Sequence, residues 1–172
     1  MEIPGLGEVT NREGLYLSMP IHVPVLGRSC TVIVEDYDGD SNKSEFHSSI
    51  SNFLSIGPEV LRDVEQEIYR YYKDMFDILS SELDDEFVII ATPSDLWKHI
   101  RLGASPVVSR RPYGDKSVYV SLECECVWEE EHGLQIVFKN GLKVNKVGPF
   151  DGHLTNSDAY GDASLEEVIY VS

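Results

Sequence analysis

The run Trp128-Glu129-Glu130-Glu131-His132-Gly133 is the densest set of groups capable of chemistry in this 172-residue chain. Carboxylates beside an imidazole offer general acid–base transfer or divalent-metal ligation. A zincin needs two histidines four residues apart on a helix around a glutamate, whereas here one histidine stands in a turn-like stretch. A metal site at Glu131 and His132 would need distant help, for which His153 and His22 are the candidates. A Cys-His nucleophile would pair Cys126 with His132, but Cys126 falls inside an alternating strand where burial is expected. The structural reading competes with both. Gly133 can supply the positive φ of a bulged hairpin loop, Glu131 can accept backbone N–H groups across it, and His132 can lock to a carbonyl or carboxylate. That reading makes the segment a turn that also presents a surface.

The other look-alikes are weaker. Cys124 and Cys126 stand two apart in a strand, so both point to one face, and no second Cys pair or clustered His completes a zinc set. They read as small core residues, and with Cys30 they make an odd, sparse count that fits reduced thiols. The loop DYDGDSNKSEF (36–46) resembles a calcium loop, but counting from Asp36 places glycine fourth and His47 twelfth, so the EF-hand register fails. The pair Tyr71-Tyr72 reads as the core and rim of an amphipathic helix. No G-x-S-x-G, P-loop or G-x-G-x-x-G motif is present.

Charge narrows the partners. Thirty acids against 14 Lys and Arg leave a formal −16, which repels nucleic-acid phosphates and anionic lipid and suits a basic partner. The start, MEIPGLGEVTNREG, lacks the basic and apolar regions of a signal peptide. No window approaches the ~18 apolar residues of a membrane span. The expected home is the cytoplasm, with no nucleic-acid and no membrane role.

The elements that must position these groups read as a single α+β domain. Strands are expected over 15–37, with Val25 to Arg28 as a hairpin connection. Helices follow over 44–81, the longest starting at Pro58 and carrying an apolar stripe from Leu61 through Val64, Ile68 and Tyr71 or Tyr72 to Leu79. Asp84, Asp85 and Glu86 form an acidic linker, FVIIA (87–91) is a strand or an approach to the next element, and a short helix spans 92–100. An antiparallel meander occupies 104–148 and includes the two-residue hairpin signal Asn140-Gly141. The tail, 150–172, holds five acids and no Lys or Arg, and is expected to be partly solvated, with VIYV (168–171) available as a strand. The expected fold is a mainly antiparallel sheet packed against one long amphipathic helix and shorter helices.

Trp128, Glu131, His132, Gly133 and Leu134 together resemble the signature W-x-x-E-H-G-L of a bacterial domain family of unassigned function. In that family an alternating strand with small residues or Cys leads into the motif, and a glycine turn and V-x-x-V-G follow, here Asn140-Gly141 and Val144 to Gly148. The resemblance spans 15–155 and is most specific over 124–148. The Asp-Pro common after the tryptophan is Glu129-Glu130 here, which alters the turn. Such domains are similar to those found among immunity proteins of bacterial polymorphic-toxin systems. The resemblance implies a binder rather than an enzyme and carries no catalytic residue across.

Three functions follow as expectations. The first is an immunity-type protein that occludes a basic toxin domain without a cofactor, contacting it through Trp128, Glu129, Glu130, Glu131 and His132, through Asp84, Asp85 and Glu86, and through the acidic tail. The second is a small metal-dependent hydrolase using Glu131 and His132. The third is a housekeeping scaffold whose acidity serves solubility.

Overall fold

The computed structural model describes residues 1–83 and 87–172. Asp84, Asp85 and Glu86 lie outside the described residues. The chain opens with strands β1 (Glu2–Ile3), β2 (Gly7–Arg12) and β3 (Leu15–Ser18), the last two paired antiparallel. Their turn places Glu13 at φ 54° and Gly14 at φ 92°, and the Asn11 side chain accepts the Gly14 N–H at 3.1 Å. Two positive φ values at the turn centre match the twist of paired strands. β4 (Ile21–Val23) and β5 (Arg28–Cys30) form the expected small hairpin, closed through Gly27. β6 (Ile33–Val34) then joins β3.

Helices α1 (Lys43–Phe53), α2 (Glu59–Arg62) and α3 (Glu65–Leu83) follow. The single long helix expected from Pro58 is broken after Arg62. Leu61, Val64, Ile68, Tyr71 and Tyr72 are all buried, so the break sacrifices no apolar contact. Residues 87–91 form no strand. Tyrosine hydroxyls of α3 stand in for ladder partners: Tyr72 donates to the Val88 carbonyl at 3.0 Å and accepts the Ile90 N–H at 2.9 Å, and Tyr69 donates to the Ile90 carbonyl at 3.1 Å. Buried backbone polar groups must find partners somewhere. A 3-10 turn spans Pro93–Lys98.

The C-terminal half is the expected meander. β7 (Ile100–Arg101) and β8 (Val107–Arg110) each pair antiparallel with β9 (Val118–Cys126), which pairs with β10 (Glu129–Lys139), which pairs with β11 (Lys143–Gly148). β6 lies parallel to β8, with α1 to α3 in the crossover between them. The result is an α+β fold: a nine-stranded, mostly antiparallel sheet in the order β1-β2-β3-β6-β8-β9-β10-β11, with β7 alongside β9. Asn140 and Gly141 close the β10–β11 hairpin at φ 53° and 66°. Gly141 is also required by space, since a Cβ there would stand 2.1 Å from the Ser49 carbonyl oxygen.

Period-two alternation gives β9 and β10 two distinct faces. Val118, Val120, Leu122, Cys124, Cys126, Leu134, Ile136 and Phe138 build the core on the helix side, where Phe53 meets Phe138 edge-on at 5.2 Å. On the other face Tyr119, Gln135, Val137 and Lys146 are also buried, beneath the C-terminal segment. That segment forms α4 (Asn156–Tyr160) and a 3-10 turn at Ala163–Leu165. The tail is partly solvated, as expected, with 150–153 and 160–164 exposed, but it is also docked: Arg111 binds Asp158 and Glu166. VIYV forms no strand; the Val147 N–H donates to the Ile169 carbonyl at 2.8 Å. No described helix is long and apolar enough to cross a membrane.

Candidate functional site

The W-x-x-E-H-G-L segment begins with a tight connection. Glu129 pairs with Cys126 across Val127-Trp128, and regular pairing resumes only at Leu134 opposite Cys124. Residues 130–133 therefore bulge out opposite Glu125 alone. A bulge frees backbone N–H groups, and one side chain collects them. The Glu129 carboxylate accepts the Glu131 N–H at 3.0 Å and the His132 N–H at 2.9 Å, and lies 3.2 Å from His132 Nδ1. The loop-bridging role expected of Glu131 belongs to Glu129. The His132 ring lies beside a carboxylate, and it is the backbone N–H of His132 that the carboxylate accepts. Gly133 sits at φ 64°, and a Cβ there would stand 2.3 Å from the Cys124 carbonyl oxygen. Tyr71 donates to the Gly133 carbonyl at 3.0 Å, tying the loop to α3.

Trp128 points inward. It is 2% exposed and makes edge-on contacts with Tyr71 at 6.0 Å and Tyr72 at 5.8 Å. Expected on the contact surface, Trp128 lies instead in the aromatic core. Glu130, Glu131 and His132 are exposed, while Glu129 is largely covered. Beside them opens a groove of about 910 Å³, lined by the loop, the β9 residues Glu123 and Glu125, and residues 98–105. Val127 lies within it, half exposed among the carboxylates.

The groove's cations are engaged. The Arg28 guanidinium donates to the Leu102 and Gly103 carbonyls, Lys98 pairs with Asp95 at 2.6 Å, and Arg101 pairs with Glu125. Glu123, Glu130 and Glu131 have no ion pair among the described residues. Spacing on one segment could not have found Arg28, Lys98 or Arg101, which arrive from distant parts of the chain. The alternation Glu123-Cys124-Glu125-Cys126 did carry a signal, since it sends both acids to one face.

Two further chemistries can be weighed. Donor atoms of Glu129, Glu131 and His132 all lie within 4.8 Å of one another, close enough to share a cation. His22 and His153 are not brought into this group; His153 pairs with Asp151 at 3.4 Å. Cys126 lines the groove, but burial pushes its thiol up to about 12, and Cys124 likewise. A thiol held that high supplies negligible thiolate at neutral pH, which disfavours a Cys126–His132 nucleophile.

Fold and site together define a mixed α+β domain whose motif is a carboxylate-capped loop beside a groove lined by acids and bases. Residues 5–154 match the model of DUF6985, a domain of unknown function, and the chain belongs to that family. No curated protein and no solved structure matches it.

Proposed function

We propose that the chain is a cytoplasmic binding protein of the immunity type, which neutralises a basic toxin domain by covering its working surface. The observation that carries this reading is the acidic lip of the groove: Glu123, Glu130 and Glu131 are exposed and, among the described residues, unpaired around Val127, in a chain of net charge −16. An apolar centre inside a charged rim suits a protein contact, where the rim steers the encounter and the centre excludes water. Among the described residues six Lys and Arg side chains pair with carboxylates, and the formal charge of −16 that remains over the chain keeps the outward field acidic. The test is capture from a lysate of the chain's own cells at low salt, with the unchanged chain and an E123K/E130K/E131K variant in parallel. A basic domain retained by the unchanged chain, released by salt and lost in the variant is the expected result. Co-expression of the chain should then relieve that domain's toxicity. Identical retention by both baits would overturn the reading.

A second reading rests on the proximity of Glu129, Glu131 and His132. It makes the loop a divalent-cation site facing the groove, as a small hydrolase would need. Titration with zinc, followed by calorimetry, tests it: one ion per chain, lost in His132→Ala, is required. Absence of stoichiometric binding to the unchanged chain removes it.

A further inference from the structure

The sheet face opposite the helices carries three cations: Arg111 just after β8, Lys139 on β10 and Lys146 on β11. Arg111 and Lys146 are each 2% exposed. Arg111 grips two carboxylates in fork geometry: Asp158 through Nε at 2.7 Å and Nη2 at 2.8 Å, and Glu166 through Nη1 at 2.5 Å and Nη2 at 3.0 Å. Lys146 donates to Gln135 Oε1 at 2.9 Å, to the Asp151 carboxylate and to the His153 carbonyl at 3.2 Å. Lys139 pairs with Asp115 at 2.9 Å and reaches Glu167 at 3.8 Å.

The partners divide by origin. Arg111, Lys139 and Lys146 lie within the family match, which ends at 154, as do Asp115 and the Lys146 partners Gln135, Asp151 and His153, whereas Asp158 and Glu166 on Arg111 and Glu167 near Lys139 come from beyond it. A guanidinium this deeply covered is tolerable only against well-placed anions, so the face and the segment are complementary. At the far end Tyr170 donates to Asp74 at 2.7 Å and packs 5.8 Å from Tyr71. The connection to the body is the exposed stretch Asp151-Gly152-His153, with Gly152 at φ 78°. The segment is thus an acidic peptide seated by two carboxylates and an aromatic anchor, joined through a short exposed link.

We propose that Arg111, with Lys139 beside it, forms a docking site for an acidic peptide segment, filled in cis by residues 155–172 and open to the same segment of a second copy. Exchange of an identical element between copies replaces each contact with its equivalent. The experiment uses the full chain and a labelled synthetic peptide of residues 155–172. A D158N/E166Q chain, whose own segment has lost both forks, should bind the peptide saturably. The unchanged chain should bind it at least about tenfold more weakly, because the tethered segment competes at high effective concentration. No saturable binding to the variant, or equal binding of a scrambled peptide of the same composition, overturns the proposal. Hydrogen exchange on the unchanged chain gives an answer independent of the variant's folding. Residues 155–172 should open while 118–148 stay protected, and exchange of both only in one global event also overturns it.

Discussion

The Glu129 carboxylate accepts the His132 backbone N–H at 2.9 Å and lies 3.2 Å from His132 Nδ1. With the Glu131 N–H at 3.0 Å, one side chain satisfies the bulge that the W-x-x-E-H-G-L segment makes. This weighs on both readings of the loop. A cation would compete with two backbone N–H groups for Glu129, whereas a protein partner finds Glu130, Glu131 and His132 already presented on a fixed frame. The frame is stiffened from below by Tyr71, which donates to Gly133 and packs edge-on against Trp128.

Glu129→Ala should therefore destabilise the fold by about 1–3 kcal/mol, the range for leaving partly covered donors unpaired. Glu131→Ala, exposed and with no backbone acceptor role, should stay within about 0.5 kcal/mol. Urea unfolding of the two variants measures the difference. Equal losses would mean that Glu129 does not carry the loop.

Gly133→Ala combines a positive φ with a Cβ placed 2.3 Å from the Cys124 carbonyl oxygen. The left-handed conformation alone costs about 1 kcal/mol or more, and the close approach adds displacement of β9. Thermal unfolding should show a large drop in Tm, with Gly152→Ala, which meets nothing within 4 Å, as the milder comparison.

The meander was legible because its signals are local. Alternation in 118–126, the Asn140-Gly141 dipeptide and Gly133 each act on near neighbours in the chain. The β2–β3 hairpin is equally local, with a turn glycine in Asn11-Arg12-Glu13-Gly14, yet β2 lies ahead of the strands expected over 15–37. The parallel β6–β8 pair was hidden for a different reason: a two-residue strand leaves almost no periodicity, and its partner lies more than 70 residues away. The break after Arg62 leaves the apolar stripe intact, so period alone does not register it. At the site, exposure of Glu130 and Glu131 followed from the turn. Burial of Trp128 did not, because it depends on Tyr71 and Tyr72 arriving from α3. The docked tail was the furthest from reach, since its acids find Arg111 some 47 to 55 residues away.

Trp128→Ala should cost about 3–5 kcal/mol, as expected for deleting a large buried aromatic. Trp128→Phe keeps a ring against Tyr71 and Tyr72 and should lose markedly less. Denaturant midpoints separate the two. A near-neutral alanine variant would place the indole on the surface after all.

The thiols should be silent in the native state. Cys30, Cys124 and Cys126 are all buried, and burial raises the last two to about 12. An aromatic disulfide reagent at neutral pH should label them only at the rate of opening, and all three rapidly in denaturant. Rapid native labelling of Cys126 would restore it as a reactive group of the groove.

Acid should loosen the C-terminal segment before the meander. Arg111 holds the Asp158 and Glu166 carboxyls below their ordinary range, and Asp115, which also faces it, is lowered by Lys139, the Ser117 N–H and Tyr119 against the opposing effect of burial. A carboxylate whose pKa is depressed in the folded state adds stability that is complete above its unfolded value, about 4. That contribution is lost as pH falls through the folded value. Lys139 and Arg111 keep their charge throughout, so protonation leaves the buried guanidinium without its anions. Stability of the unchanged chain should fall between about pH 5 and pH 2, and hydrogen exchange should report residues 155–172 opening first. The D158N/E166Q chain should start lower at neutral pH and fall less over the same interval. Parallel curves for the two chains would show that Arg111's partners contribute nothing to the acid response.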